Sequence, residues 1–318
     1  MKPALLLALT LALATQTSLA GPAADPATLD YRLQARALAP DVYVVEGANA
    51  DFQLANGCNI INTGFIVTEA GVLVINTGPS RRYGEQLRAL IARTTTRPLL
   101  QVLLLNQHPD YFLGNQAFAD VPRLASAATR SAMAANAASY ESNLYRLCGD
   151  WMKGTETLLP DGPVRPGVQQ LGAHEIELLE LDGHTESDLV LIDRSAGVVF
   201  AGGLVFSQRV PTTPHASLAP WQAGLKTLAA LPYPWWVPSH GGVDAARDGA
   251  AIAMTQRYLS WLDQRFRSAA EQGLDMMELL RQPVPEEFRR WAAFETEYLR
   301  NVAHLYPRYE QAQLLKTP

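Results

Sequence analysis

Hydrophobic positions in the first half of the chain come in short runs instead of long stripes. Residues 42–46, "NIINTGFIVT" at 59–68 and "GVLVIN" at 71–76 are rich in β-branched side chains and are parted by Gly-containing turns, which predicts strands. The period then changes. In "GPSRRYGEQLRALIARTTTRP", Leu87, Leu90 and Ile91 recur on one helical face behind Ser80, a residue type that caps helices. "LLQVLLL" at 99–105 is apolar almost throughout, the mark of a strand buried on both faces. It delivers the chain directly to Asn106.

The second half repeats the alternation. A helical stretch is expected over 125–147, and "HEIELLELDGHTESDLVLID" reads as strand, loop, strand. "VVFAGGLVF" is its hairpin partner, a helix capped by Ser217 is expected over 217–231, and "WWVPSHGG" is a strand entering a glycine-rich loop. From Ala245 onward the pattern is helical, interrupted at "QPVPEE", and no internal repeat or low-complexity block occurs. Strands alternate with helices, and strand ends carry histidines. That predicts an α/β layered fold with its site at the strand termini.

Composition narrows the function classes. The chain has 318 residues, 48% hydrophobic and 18% charged, with a formal net charge of -5. Mild acidity and scattered Lys and Arg give no basic patch for nucleic acid and no polybasic membrane-surface segment. Met1 and Lys2, the apolar run 3–14 and the small-x-small "SLA" before Gly21 predict a signal peptide over 1–20, too short to span a bilayer. No later run is long and apolar enough for a membrane span. The expected product is exported to the periplasm or secreted, with an arm over 21–32 that belongs to a weakly ordered Ala-rich stretch reaching Leu38. One domain is expected over 33–318, the C-terminal helices included. An oxidising compartment favours pairing the two cysteines, Cys58 and Cys148; the alternative is two buried thiols.

Candidate chemistry rests on six histidines. His108, His184 and His240 follow strands directly, in "NQHPD", "LDGHTESD" and "VPSHGG", and loops at strand ends are how distant ligands are gathered round a metal. His174 in a turn, His215 in a Pro/Thr-rich loop and His304 in a C-terminal helix read as surface or packing residues. "TGPSRRYG" lacks phosphate-loop spacing and reads as a capped helix, and the Trp235–Trp236 pair reads as packing. No Gly-x-Ser-x-Gly and no Cys-x-x-Cys occurs, so serine hydrolysis, thioredoxin-like chemistry and haem attachment are not indicated.

The spacing resembles the metallo-β-lactamase superfamily, whose signature is His-x-His-x-Asp-His, then Gly-His-Thr, a strand-end Asp and a late His. "GFIVTEAGVLVINTG", "HPDYFLGNQAF", "DGHTESDLVL", "VVFAGGLVF" and "VPSHGG" carry the resemblance across nearly the whole chain after residue 20. "GNQAF", "KGTETLLP" and "RNVAHLYPRYE" further resemble an exported branch, the quinoprotein relay system zinc metallohydrolases, which implies association with a periplasmic quinoprotein dehydrogenase system. The resemblance implies an αβ/βα sandwich of two mixed sheets with outer helices.

It also implies where metals would sit. The first-metal positions fall on Asn106, His108 and His184, the second-metal positions on Asp110, Tyr111 and His240, and the bridging Asp on Gly203; the Asp of the early "DTG" is Asn76. A carboxamide at Asn106 is a poorer zinc donor than imidazole, and Gly203 donates nothing, so the usual pair of metals is not expected. A mononuclear subclass also begins Asn-x-His-x-Asp, but it relies on a Cys where Gly203 stands here.

Two readings follow. In one, a single zinc is held by His108, His184 and His240, or by Asp110 with two of them. Asp110 would then orient a zinc-activated water, His108 or His184 would serve as base, and an ester, thioester or amide would be hydrolysed. Tyr111 would ligate only as a costly phenolate. In the other, the chain is metal-free, and the same residues, with Asn106 and Tyr111 facing the ligand, form a polar pocket of a binding or accessory protein. The blandest form of that reading is a satisfied hydrogen-bond cluster at the strand ends.

Overall fold

Alternate residues on single strands build the layers of this molecule. The structure is a computed structural model describing residues 23–315, so the segment read as a signal peptide lies outside the described residues. In β4 (Gly71–Ile75), Val72 and Val74 pack outward against α1 (Arg81–Thr94) and α3 (Ala127–Cys148), through Leu87, Ile91, Met133 and Leu144. Leu73 and Ile75, on the other face, join the core between the sheets. β10 (Asp188–Asp193) mirrors this. Its Leu189 and Leu191 enter the same central core, while Val190 and Ile192 pack outward against α4 (Leu218–Ala229), α5 (Ala250–Glu271) and α8 (Phe294–Leu314). Both strands are buried on both faces, as continuous apolar runs require.

The first sheet runs β1 (Arg36–Ala39), β2 (Val42–Val45), β3 (Thr63–Thr68), β4, β5 (Leu99–Leu103), β6 (Arg123–Ala125) and β7 (Gly162–Pro163). It is antiparallel from β1 to β4 and parallel from β4 to β7. The second runs β12 (Trp235–Val237), β11 (Val198–Phe200), β10, β9 (His174–Leu181) and β8 (Gly167–Leu171), with only β11 and β12 parallel. Two mixed sheets with helices on both outer faces form the expected αβ/βα sandwich. The remaining helices are α2 (Pro109–Phe112), α6 (Met276–Arg281) and α7 (Glu286–Arg289). Among the described residues, no helix is long and apolar enough to cross a membrane.

Several local expectations meet the structure differently. Ser80 does cap α1, its side chain accepting from Tyr83 N, but Ser217 precedes α4 without a side-chain cap bond. His174 starts β9 instead of lying in a turn. The arm expected to be weakly ordered is docked at its end. Tyr31 is buried, and its hydroxyl meets the Gly57 carbonyl and Ser80 Oγ, both at 2.9 Å. Cys58 and Cys148 are bridged, with Cα atoms 5.9 Å apart and a sequence separation of 90. Closing a loop of that size contributes ~4 kcal/mol in the chain-entropy model.

Candidate functional site

Two buried links bring the ends of the two sheets together, and a third braces the first sheet beside them. Leu105, just beyond β5, accepts a backbone bond from Leu189 N of the second sheet at 2.9 Å. Asn62, just before β3, donates to the carbonyls of Pro238 and Gly241 beyond β12. Asn76 accepts from Leu105 N at 3.0 Å and adopts φ 59°, a left-handed conformation that Asn tolerates better than most residues. Where the family has an Asp, this Asn still pins β4 to the loop after β5.

That loop presents Asn106, His108, Asp110 and Tyr111. Asn106 Oδ1 accepts from His108 N at 2.9 Å, an Asx turn that sets the loop's direction. Its Nδ2 donates to Asp188 Oδ1 at 2.5 Å. His108 is the N-cap of α2 with Pro109 at the first helical position, and its ring makes no cap bond. The ring is therefore free to turn toward neighbours. Asp110 and Tyr111 lie on α2, and Asp110 Oδ2 receives His240 Nε2 at 2.9 Å from the loop after β12. His240 also meets Ser239 Oγ at 2.9 Å and stacks on Phe206.

His184 comes from the turn between β9 and β10. Its Nδ1 lies 3.5 Å from Asp188 Oδ1 and 3.4 Å from Asn106 Nδ2. Asp188 Oδ2 is held by Thr185 N at 2.8 Å. His184 Nε2 is buried and has no hydrogen-bond partner. The cluster lies where a side chain at position 203 would go: a Cβ built on Gly203 collides with His184 Nδ1, Asp188 Oδ1 and Asn106 Nδ2. No carboxylate stands at this position, and His184, Asp188 and Asn106 fill the space beside it.

The structure therefore gathers His108, Asp110, His184, His240, Asn106 and Tyr111 into one place. It adds two residues that sequence reasoning missed. Asp188 is one; its spacing of four from His184, at the start of a buried strand, was the available signal. The other is His215, read as a surface or packing residue. Its Nδ1 lies 3.1 Å from His108 Nε2, and no local pattern in its Pro/Thr-rich loop announces that. His174 packs far from the site against Asp193, with Nδ1 to Oδ2 at 2.6 Å, and His304 is half-buried on α8.

Burial dominates the electrostatics. Asn106, Tyr111, His184 and Asp188 are 0% exposed. Desolvation holds His108 well below the ordinary histidine range, with His184, His215 and His240 adding to the effect. Burial pushes His240 down to about 4 despite Asp110, and it lowers the half-buried His215, helped by His184. Burial, with Asp110 and Asp188 nearby, drives the Tyr111 phenol well above 10, so it does not offer a phenolate. At neutral pH these imidazoles are uncharged beside two carboxylates. The site is rich in lone pairs, and the buried Arg209 guanidinium, near enough to act on His240 and Tyr111, is engaged by the Ala50 carbonyl and Glu297.

The family's pair of metals does not fit this arrangement. Asn106 is committed to Asp188, His240 Nε2 to Asp110, and Gly203 leaves no donor and no room. Among the described residues, no three His, Cys, Asp or Glu side chains stand round one point as a metal would require. The imidazole nitrogens that remain are those of His108, His184 and His215.

A family model described as "Metallo-beta-lactamase superfamily" matches residues 56–240. Solved structures share the fold at low identity. A metallo-β-lactamase from Pontibacter korlensis has 20% identity and a TM-score of 0.58, covering 72% of this chain and 99% of its own. FIM-1 from Pseudomonas aeruginosa, solved in a mono-zinc form, has 16% identity and a TM-score of 0.56, covering 72% and 95%. A metallo-β-lactamase from Hirschia baltica has 16% identity and a TM-score of 0.53, covering 69% and 97%. No curated protein matches the chain.

Proposed function

This chain belongs to the metallo-β-lactamase superfamily, and from that premise we propose that it is an exported member without a dinuclear centre, acting as a small-ligand-binding accessory protein. One observation carries the reading. The space beside Gly203, which a bridging carboxylate needs, is filled by His184, Asp188 and Asn106. A two-metal clamp on a hydroxide needs ligands on both ions and a gap between them. Here those positions are spent on one another. Any metal is single, and the chain's own contribution at the site is a buried set of imidazoles, His240 held by Asp110 and His184 beside Asp188.

Export rests on the segment over 1–20, and the link to a periplasmic quinoprotein oxidation system rests on the short resemblances already quoted. Under this reading the ligand is a small molecule that offers hydrogen-bond donors, since the site offers lone pairs. The zinc-hydrolase reading keeps one specific support, the partnerless Nε2 of His184. Elemental analysis of the mature protein, purified without chelator or nickel, tests the conclusion. At most one zinc per chain, with no lactam or ester turnover, is expected. Two zincs per chain overturn it.

A further inference from the structure

We propose that residues 207–217 form a strap that shuts the strand-end site, and that the strap lifts at its seam with α8 to admit a ligand. This rests on the small-ligand reading of the site and adds how access to it is controlled.

Three observations carry it. The first is the path of the strap. Apart from His215, no side chain of the cluster is more than 6% exposed, so the closed form leaves a ligand no way in. Where the strap begins, Ser207 N donates to the His240 carbonyl at 3.0 Å. Where it ends, Ser217 N donates to the carbonyl of Gly183, the neighbour of His184, at 2.8 Å. Between these points the half-buried His215 lies with Nδ1 3.1 Å from His108 Nε2. The segment thus touches all three loops that bring histidines to the site, those after β5, β9 and β12.

The second is the clasp that holds it down. Asn301 on α8 accepts from Thr213 Oγ1 at 2.7 Å and donates to the Pro211 carbonyl at 2.9 Å, while Arg308 donates to the Ala216 carbonyl at 2.9 Å. Val210 N donates to the Ala292 carbonyl at 3.1 Å and Ala292 N to the Gln208 carbonyl at 3.0 Å, which joins the strap to the turn before α8. That turn and α8 lie beyond residues 56–240, the part of the chain that matches the family model. The clasp is supplied from outside the shared scaffold.

The third is the cost of the closed seam. Gln208 has φ 50° and Ala293 φ 58°, left-handed conformations that a residue with a Cβ adopts only at an energetic cost. Arg209 and Glu297 are buried across the same seam, with Nη2 and Oε1 3.6 Å apart. Arg300 reaches that oxygen at 3.0 Å, and Glu297 Oε2 has no partner. Strained backbone and a half-satisfied buried ion pair persist only where their surroundings hold them, and both lower the work of opening.

Diethyl pyrocarbonate, a small reagent that modifies neutral imidazoles, reads access to each histidine of the mature chain by mass spectrometry. His174, bonded to Asp193 at the far end of β9, is the internal reference. Asn301→Ala removes two bonds that hold the strap. His108 and His184 are therefore expected to react roughly tenfold faster than in wild type, with little change at His174 and a cooperative melt. Unchanged rates at His108 and His184 in the folded variant overturn the proposal. Should that variant fail to fold, hydrogen exchange of the wild-type chain carries the test alone. The Val210 and Ala292 amides, bonded across the seam, are expected to exchange together and at least ~10-fold faster than amides in the middle of β10. Exchange at the β10 rate overturns the proposal. Metal content is a separate measurement: two zincs per chain overturn the earlier reading, whereas the seam amides report on the strap alone.

Discussion

The β9–β10 hairpin carries a histidine–aspartate pair at each end, and the two pairs behave differently. At one end His174 opens β9 and Asp193 closes β10, with Nδ1 to Oδ2 at 2.6 Å in a short, direct contact. At the other, His184 and Asp188 stand 3.5 Å apart, Asp188 is shared with Asn106 and Thr185, and His184 Nε2 is left over. The residue types are the same and both pairs are buried. What separates them is how the polar atoms are accounted for. The pair that joins the strands, with Asp193 Oδ1 also accepting from Ala196 N, leaves no buried atom without a partner, whereas the pair at the sheet junction keeps one strong group in reserve at an energetic cost.

The sharpest way to break this contrast is Gly203→Asp. The new side chain meets His184, Asp188 and Asn106 together, adding overpacking to an unpaired buried charge. A loss of about 3–5 kcal/mol is expected in chemical denaturation. A change below ~1 kcal/mol would mean that the cluster does not fill that space.

Acid comes next. The unfolded chain takes up protons at the ordinary histidine value near 6.5, while folded His240 resists until about 4. The folded state binds fewer protons in that window, so stability is complete above roughly pH 6.5 and falls as pH drops toward 4. His240 alone accounts for ~3 kcal/mol, and His108 and His215, also lowered, act in the same direction. Denaturation at pH 7.5 and pH 4.5 measures it; equal stability at both would show that Asp110 keeps His240 charged.

Asp193→Asn, at the self-satisfied end, is expected to cost ~2 kcal/mol and to leave any zinc affinity unchanged. Asp188→Asn should lower that affinity as well, and a similar response from both would erase the contrast. The smallest effect belongs to Asn301→Ala, about 1–2 kcal/mol, with a changed His215 imidazole resonance by NMR and little change at His174.

Much of this was legible before any coordinates. "LLQVLLL" announced a strand buried on both faces, which holds from Val102 onward while Leu99–Gln101 are half-buried, and the residues that follow the strands, Asn106, His108, His184 and His240, are the ones gathered at the site. Ser80 also capped its helix as its position suggested. His215 was not legible, because its place is fixed by Asn301 and Arg308 on a helix more than eighty positions away, and no period of two or 3.6 encodes that. Tyr31 was misread for a related reason: an Ala-rich arm looks weakly held unless the slot formed by Gly57 and Ser80 is known. Asp188 was not singled out in the sequence, since its role depends on what Gly203 leaves open.

Gly203 also bears on redesign. An aspartate does not fit there while His184 and Asp188 occupy its volume, and Asp188 is held by Asn106. Writing a carboxylate into this corner of the scaffold therefore calls for changes at 106, 188 and 203 together, because a change at 203 alone meets the other two. The cluster is a single unit of engineering, to be exchanged whole or left as it is.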